Sequence, residues 1–307
     1  MKIFVLSPNI KTLFNEQQIS QIKQSGDAVF QEEIIPLDQL NDLFAGDAER
    51  VLAIDPDFSN WSFPNEVFDR IPNLKAVVLQ TTSFSWVDVT HLQQKGIPVI
   101  NLRGFSKIAV AEYILMMTTG LARRLPLIVK DKWQPDYIKH KGIELRGKTA
   151  GVIGLGNIGT AVAENFLGLG MKVVYWSKNS RDDRFQQVEL QDLMASSDVI
   201  VPAVAQNKET AGLITDNLLK SMKKTTVFVS AIHNVYNHDL LLEMVKNGEL
   251  FGYGFEDSNA KLDDFVGNVW PVPELAWCTQ DSFEKNASQW TEAIVAAAKD
   301  IYTNQVN

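Results

Sequence analysis

Residues 148–177 read KTAGVIGLGNIGTAVAENFLGLGMKVVYWS. A short apolar run ends at Gly154, Gly156 and Gly159 complete a G-x-G-x-x-G, an amphipathic stretch follows, and a second apolar run closes the segment. This is the order strand, glycine turn, helix, strand. Gly154 permits the tight turn, Gly156 lets a pyrophosphate approach the backbone, and Gly159 packs the helix against the strand. The free N–H groups at the helix start, around Asn157 and Ile158, would face that anion. In this βαβ context the glycines indicate a dinucleotide site.

The end of the second strand selects the dinucleotide. An NAD site wants an acid there to hold the ribose 2′-OH. This chain has Ser177, Lys178 and Asn179, with Arg181 just beyond. Without a carboxylate a 2′-phosphate meets no repulsion, and a Lys and an Arg attract it. NADP(H) is therefore expected over NAD(H).

Outward from this segment, short apolar runs alternate with amphipathic ones, the pattern of βα units around a parallel sheet. KIFVLS, RVLAID, LKAVVLQ and IPVINL read as strands in the first third, and DVIVPAV, TTVFVSAI and GELFGYGFE continue the series after the glycine turn. Between the two sets lies a long, largely apolar helix over 106–125, with Arg123 and Arg124 placed to meet its negative end. Two α/β domains are expected, the second beginning near residue 101.

Composition narrows the function. The chain has 307 residues, a net charge of -8 and 45% hydrophobic residues. It carries no concentrated basic surface for nucleic acid. The apolar run at the N-terminus, from Ile3 to Leu6, is too short for a signal core or membrane span. The single cysteine and four scattered histidines give no disulfide and no metal-ligand spacing. A cytoplasmic protein with no membrane association is expected.

Several stretches resemble the D-isomer-specific 2-hydroxyacid dehydrogenase family: LKAVVLQTTSFSWVDV, GIPVINLRGFSKIAVAEYIL, the glycine segment, TAGLITDNLLKSMKKTTVFVS and GNVWPVPELAWCT. The resemblance implies two Rossmann-like parallel-sheet domains, the cofactor domain inserted into the substrate domain. The boundaries would be 1–100 plus 278–307 for substrate and 101–277 for cofactor. It also implies a homodimer through the 106–125 helix, a cofactor contact at Thr210, and a small carbonyl substrate. The substrate-carboxylate loop would be Thr81, Thr82, Ser83 and Phe84.

Family enzymes set an Arg, a Glu and a His about the reacting carbonyl. The His gives the proton, the Glu holds it, and the Arg clamps the 2-oxo acid. The His position is Glu274. The Arg position falls on Ile232 or His233, depending on the direction of alignment, and the Glu position falls on Lys261. All three have changed residue type. His233 and Glu274 could form a new acid–base pair, with Tyr236 or His238 as other donors. Loss of the Arg suggests a neutral or cationic carbonyl compound or an imine, in a pocket of Phe84, Trp86, Trp270 and Trp277. The alternative is a catalytically silent NADP(H) binder.

Overall fold

The computed structural model describes all residues, 1–307, and divides into two compact units. The first comprises Met1–Ser106 with Thr279–Asn307, the second Lys107–Cys278.

The first unit is built on β1 (Lys2–Leu6), β2 (Asp27–Gln31), β3 (Arg50–Ile54), β4 (Leu74–Leu79) and β5 (Val99–Ile100). They pair in parallel in the order β2-β1-β3-β4-β5. β3 is buried at every position, as a central strand covered on both faces must be. Strand β2 escapes the apolar pattern because it is an edge strand, DAVFQ, exposed or half-buried throughout.

One face is closed by the Gln280–Ala297 helix, which therefore belongs with the first unit although it comes last in the chain. Its Trp290 is fully buried, stacks on Phe14 at 5.4 Å and donates its indole N–H to the Val78 carbonyl at 3.3 Å. Asn286 binds the Gln80 carbonyl in the same way. The tail then runs antiparallel past β5: Val306 N–H donates to Val99 O, and Asn101 N–H to Asn304 O. That tail covers the edge β5 would otherwise expose. It also holds 101–106 in the first unit, so the crossover lies at 106/107 rather than at 100/101.

The second unit contains β6 (Thr149–Ile153), β7 (Lys172–Trp176), β8 (Gln186–Gln187), β9 (Val199–Pro202), β10 (Val227–Ser230), β11 (Gly252–Glu256) and β12 (Val269–Val272). All pair in parallel, in the order β12-β11-β10-β9-β6-β7-β8. The order reverses between β6 and β9, the switch point at which such sheets bind ligands. β12 is an edge strand, which explains how Pro271 is tolerated inside it.

The long apolar helix spans Lys107–Ala122, shorter than the pattern suggests. Arg124 adopts a left-handed conformation (φ 56°), and a second helix, Leu125–Lys130, starts with Pro126 in its first turn. Arg124 then does not cap the first helix. Its guanidinium lies 4.4 Å from the Phe251 ring centroid and binds the Lys141 carbonyl. No helix is long and apolar enough to cross a membrane.

Because Trp290 fastens the last helix to the first unit's sheet, Trp290→Ala should destabilise that unit by about 3–5 kcal/mol. Urea unfolding should then show an earlier transition for the first unit, with a smaller change for Trp290→Phe.

Candidate functional site

At the switch point Gly154 has φ +97°, and a Cβ there would stand 2.7 Å from Val204 Cγ1 and 2.9 Å from Ala203 O. A Cβ on Gly159 would stand 1.9 Å from Gly154 O, so helix and turn are in direct backbone contact. A Cβ on Gly156 would meet nothing within 4 Å, which leaves that face open. Gly156 is the N-cap of the Asn157–Gly168 helix and supplies no side-chain cap. The first backbone bond of the turn is Thr160 N–H to Gly156 O, so the N–H groups of Asn157, Ile158 and Gly159 donate to no protein group. Open approach, unused donors and the positive end of a twelve-residue helix fit a pyrophosphate.

Beyond β7, Ser177 is buried, and its hydroxyl accepts the Ser180 N–H at 3.2 Å. Arg181 donates one terminal nitrogen to the carbonyls of Ser177 and Ser180, at 3.1 and 2.9 Å. The loop is thus wrapped around its own arginine. Lys178 is exposed and pairs with Glu209 at 3.0 Å, a carboxylate that sequence reading did not bring to this place. Thr210, one residue on, spends its hydroxyl inside its own loop, donating to Ala205 O at 2.6 Å and accepting from Asn207 N–H.

The second cluster lies beyond β10, β11 and β12. His233 Nε2 stands 3.8 Å from Glu274 Oε1, within ion-pair reach and beyond hydrogen-bond length. Both side chains are about half exposed. The His233 N–H donates to Gln206 Oε1 at 2.9 Å, which joins this loop to the one after β9. Ile232 offers only backbone here. Its carbonyl accepts from Ser230 Oγ (2.8 Å) and Tyr236 OH (3.1 Å).

Glu274 is held by Ser258: its N–H donates to Ser258 Oγ at 3.1 Å, and Ser258 Oγ–H reaches Glu274 Oε2 at 3.3 Å. Tyr113, from the Lys107–Ala122 helix, donates to the neighbouring Pro273 carbonyl at 2.9 Å. Beneath this loop sits Glu256, the last residue of β11 and buried, accepting the Ala276 N–H at 2.9 Å. Burial pushes its carboxyl up to about 7, the Ala276 and Leu275 N–H groups oppose that, and the charge of Glu274 adds to it.

Three expectations are corrected. Lys261 does not join the cluster: it is exposed at the start of a short 3-10 turn, its N–H on Asp264, and its ammonium forms no ion pair. The acid against the Glu274 loop is instead Glu256, because it ends a buried strand while Lys261 lies in a solvated turn. Tyr236 and His238 are turned inward: His238 Nδ1 lies 2.8 Å from Tyr253 OH, which in turn donates to Tyr236 OH at 3.1 Å. Burial pulls the imidazole of His238 down and pushes the phenol of Tyr236 up, which suits packing against Phe228 and Phe255 rather than proton donation. Trp270 is packing as well, since a Cβ on Gly120 would fall 2.1 Å from its ring. Trp277 and Phe84 are part exposed.

In the first unit Thr81, Thr82, Ser83 and Phe84 follow β4. The loop uses its carbonyls internally. Thr81 Oγ1 donates to Ser83 O (2.7 Å), the buried Trp86 donates its indole N–H to the same oxygen (3.0 Å), and Leu102 N–H donates to Thr81 O (3.1 Å).

The family described as D-isomer specific 2-hydroxyacid dehydrogenase, NAD binding domain, matches residues 112–262. A D-3-phosphoglycerate dehydrogenase of Archaeoglobus fulgidus is 34% identical over 259 residues, 79% of this chain, and the match spans about half of that longer protein (49%). A glyoxylate reductase of Thermofilum pendens is 29% identical over 76% of this chain and 75% of its own. Among solved structures, an acyclic imino acid reductase in complex with NADPH and D-Arg superposes with a TM-score of 0.84 at 26% identity, covering both chains in full. The chain belongs to the D-isomer-specific 2-hydroxyacid dehydrogenase family.

Glu256 gives the cluster a measurable signature. Its folded pKa lies above the ordinary 4.5, so its stabilising contribution is complete below pH 4.5 and is lost as pH rises towards 7. Glu256→Gln cannot titrate. Its stability relative to the wild type should rise by on the order of 2 kcal/mol across that interval. Thermal unfolding at a series of pH values tests this, and a constant difference would mean that folding does not shift the carboxyl's pKa.

Proposed function

We propose that this chain is an NADP(H)-linked oxidoreductase that reduces a small carbonyl or imine compound, with His233 and Glu274 in place of the family's proton donor. The observation that carries the reading is the 3.8 Å approach of His233 Nε2 to Glu274 Oε1, in the same unit as the glycine turn. Gly154, Gly156 and Gly159 with the N–H groups of Asn157 and Ile158 would hold the pyrophosphate. Ser177, Lys178 and Arg181 would receive the adenosine ribose and its 2′-phosphate, with Thr210 shaping the neighbouring loop. A bound reduced dinucleotide supplies hydride to the carbonyl or imine carbon.

The chain's own part is the proton. His233 is placed to donate it to the oxygen or nitrogen that gains charge, and Glu274 faces the ring at 3.8 Å. Ser258 and Gln206 fix the carboxylate and the imidazole backbone in turn. Buried Glu256 beneath the loop adds a second acid whose charge is linked to that of Glu274. NADPH is favoured because residues 177–181, directly after β7, carry a lysine and an arginine and no carboxylate, and an imine because the imino acid reductase of similar fold was solved with NADPH and D-Arg. The cytoplasm is the proposed compartment.

A catalytically silent dinucleotide binder is the second reading. It is favoured by the loss of residue type at Ile232 or His233, at Lys261 and at Glu274 around an intact glycine turn. The two readings separate on NADPH and NADH oxidation with glyoxylate, hydroxypyruvate, neutral aldehydes and imines. Turnover should be faster with NADPH, and His233→Ala and Glu274→Ala should each lower kcat by about 10²–10⁴ with cofactor affinity kept. Full activity in both variants would remove the pair from the mechanism, and binding without any turnover would leave the silent binder.

We further propose a homodimer formed through the Lys107–Ala122 helix, whose Ile108 and Met116 are exposed apolar side chains. Light scattering should give twice the 34.4 kDa chain mass; a single-chain mass would end this proposal.

A further inference from the structure

The loop that presents His233 is pinned along its backbone. The His233 N–H donates to Gln206 Oε1 at 2.9 Å, the Asn234 carbonyl accepts from the Gly212 N–H at 2.9 Å, and the Val235 carbonyl accepts from the Ile214 N–H at 2.9 Å. The Ile232 carbonyl accepts from two hydroxyls, Ser230 Oγ at 2.8 Å and Tyr236 OH at 3.1 Å. The 232–233 peptide group is therefore held at its oxygen and at its nitrogen, while the imidazole it carries is half exposed.

Behind Tyr236 the bonds continue into the interior. Tyr253, on β11 and fully buried, donates its hydroxyl to Tyr236 OH at 3.1 Å, and His238 Nδ1 lies 2.8 Å from Tyr253 OH. Each phenol has a single proton. Tyr236 gives its proton to Ile232 O and Tyr253 gives its own to Tyr236, so Tyr253 has only a lone pair left for His238. Nδ1 of His238 therefore carries a hydrogen. The bonds then all run one way, from His238 through Tyr253 and Tyr236 to Ile232. The series ends on a carbonyl oxygen, which has no proton to pass on, so it is no proton wire. The rings are set by neighbours: Tyr236 meets Phe228 at 5.1 Å, Tyr253 stacks on Phe255 at 4.8 Å, and His238 meets Phe255 edge-on at 4.6 Å. Phenylalanine rings would fill the same space at little cost. What the hydroxyls add is a bond to the 232–233 peptide.

We infer that Tyr236, Tyr253 and His238 are positioning residues, a hydrogen-bonded series that holds the 232–233 peptide group so that the His233 imidazole stands opposite Glu274. The inference rests on the reductase reading for the role of His233, but the hold on the peptide can be measured without turnover.

The test compares the wild-type protein with Tyr236→Phe, Tyr253→Phe, the double variant, His238→Leu and His238→Asn, each with saturating NADPH. Amide hydrogen exchange at His233, read by NMR, should be about 2- to 10-fold faster in Tyr236→Phe, as for loss of one hydrogen bond, with exchange at Val152 in β6 unchanged. With the panel compound that turns over fastest, kcat should fall about 10- to 100-fold as the proton donor is displaced. KM and NADPH affinity should hold, and the solvent isotope effect on kcat should rise. The double variant should lose no more than Tyr236→Phe alone, because both tyrosines act through one bond. His238→Asn keeps a donor near the place of Nδ1 and should recover most of what His238→Leu loses.

Exchange at His233 equal to wild type in Tyr236→Phe would overturn the assignment. Faster exchange at Val152 as well would also overturn it, since the tyrosines would then serve the fold alone. So would faster exchange at His233 with kcat intact. If exchange rises at His233 alone and neither the variants nor the wild type reduces any compound, the hold on the peptide stands and the reductase reading falls.

Discussion

The constraint on which the second unit depends is a backbone contact. The Gly159 Cα hydrogen side faces the Gly154 carbonyl so closely that a methyl group would lie 1.9 Å from that oxygen. This contact brings the Asn157–Gly168 helix down onto the end of β6, and it directs the helix N-terminus into the open space beside Gly156. It also fixes the distance between β6 and the loop after β9, since Gly154 is pressed against Ala203 and Val204. The switch point of the sheet is therefore set by missing side chains. A larger residue at 154 or 159 would displace backbone, which a packed interior resists.

Around that rigid turn, the chemistry on the far side of the sheet is set by desolvation. Glu256 ends a strand that is buried along its whole length, and a carboxylate there loses water it does not fully regain from the Ala276 and Leu275 N–H groups. Glu274, exposed and paired loosely with His233, keeps its hydration. Two carboxyls in neighbouring segments thus sit in different environments, one buried and one exposed. The exposed His233–Glu274 pair adds little to stability.

Much of this was legible in the sequence. The glycine turn comes from a run and a spacing that physical rules constrain strongly, whereas the inserted second unit and the pairing of His233 with Glu274 were expected only from the family resemblance. What escaped was governed by tertiary context. β2 is a five-residue edge strand, exposed or half-buried throughout, and β12 contains a proline that only an edge admits. The end of the Lys107–Ala122 helix depended on Pro126, two residues beyond the arginines that looked like its cap. Lys261 was placed by counting from Glu256, yet the chain turns into solvent in between. Glu256 itself served only as a landmark, because nothing local distinguishes a buried acid from an exposed one. Ser258, Gln206 and Glu209 reach their partners across loops, and no periodicity marks such contacts.

Both units carry a run of backbone N–H groups that no protein acceptor takes. In the second, the helix N-terminus offers N–H groups of Asn157, Ile158 and Gly159 that no carbonyl can reach. In the first, the carbonyls of Thr81, Thr82 and Ser83 after β4 accept from Leu102, Asn101, Thr81 Oγ1 and Trp86, and the N–H groups of Thr82, Ser83 and Phe84 donate to no protein group. In both places the backbone is already fixed by its own hydrogen bonds, so little ordering would be left to be done on binding a ligand.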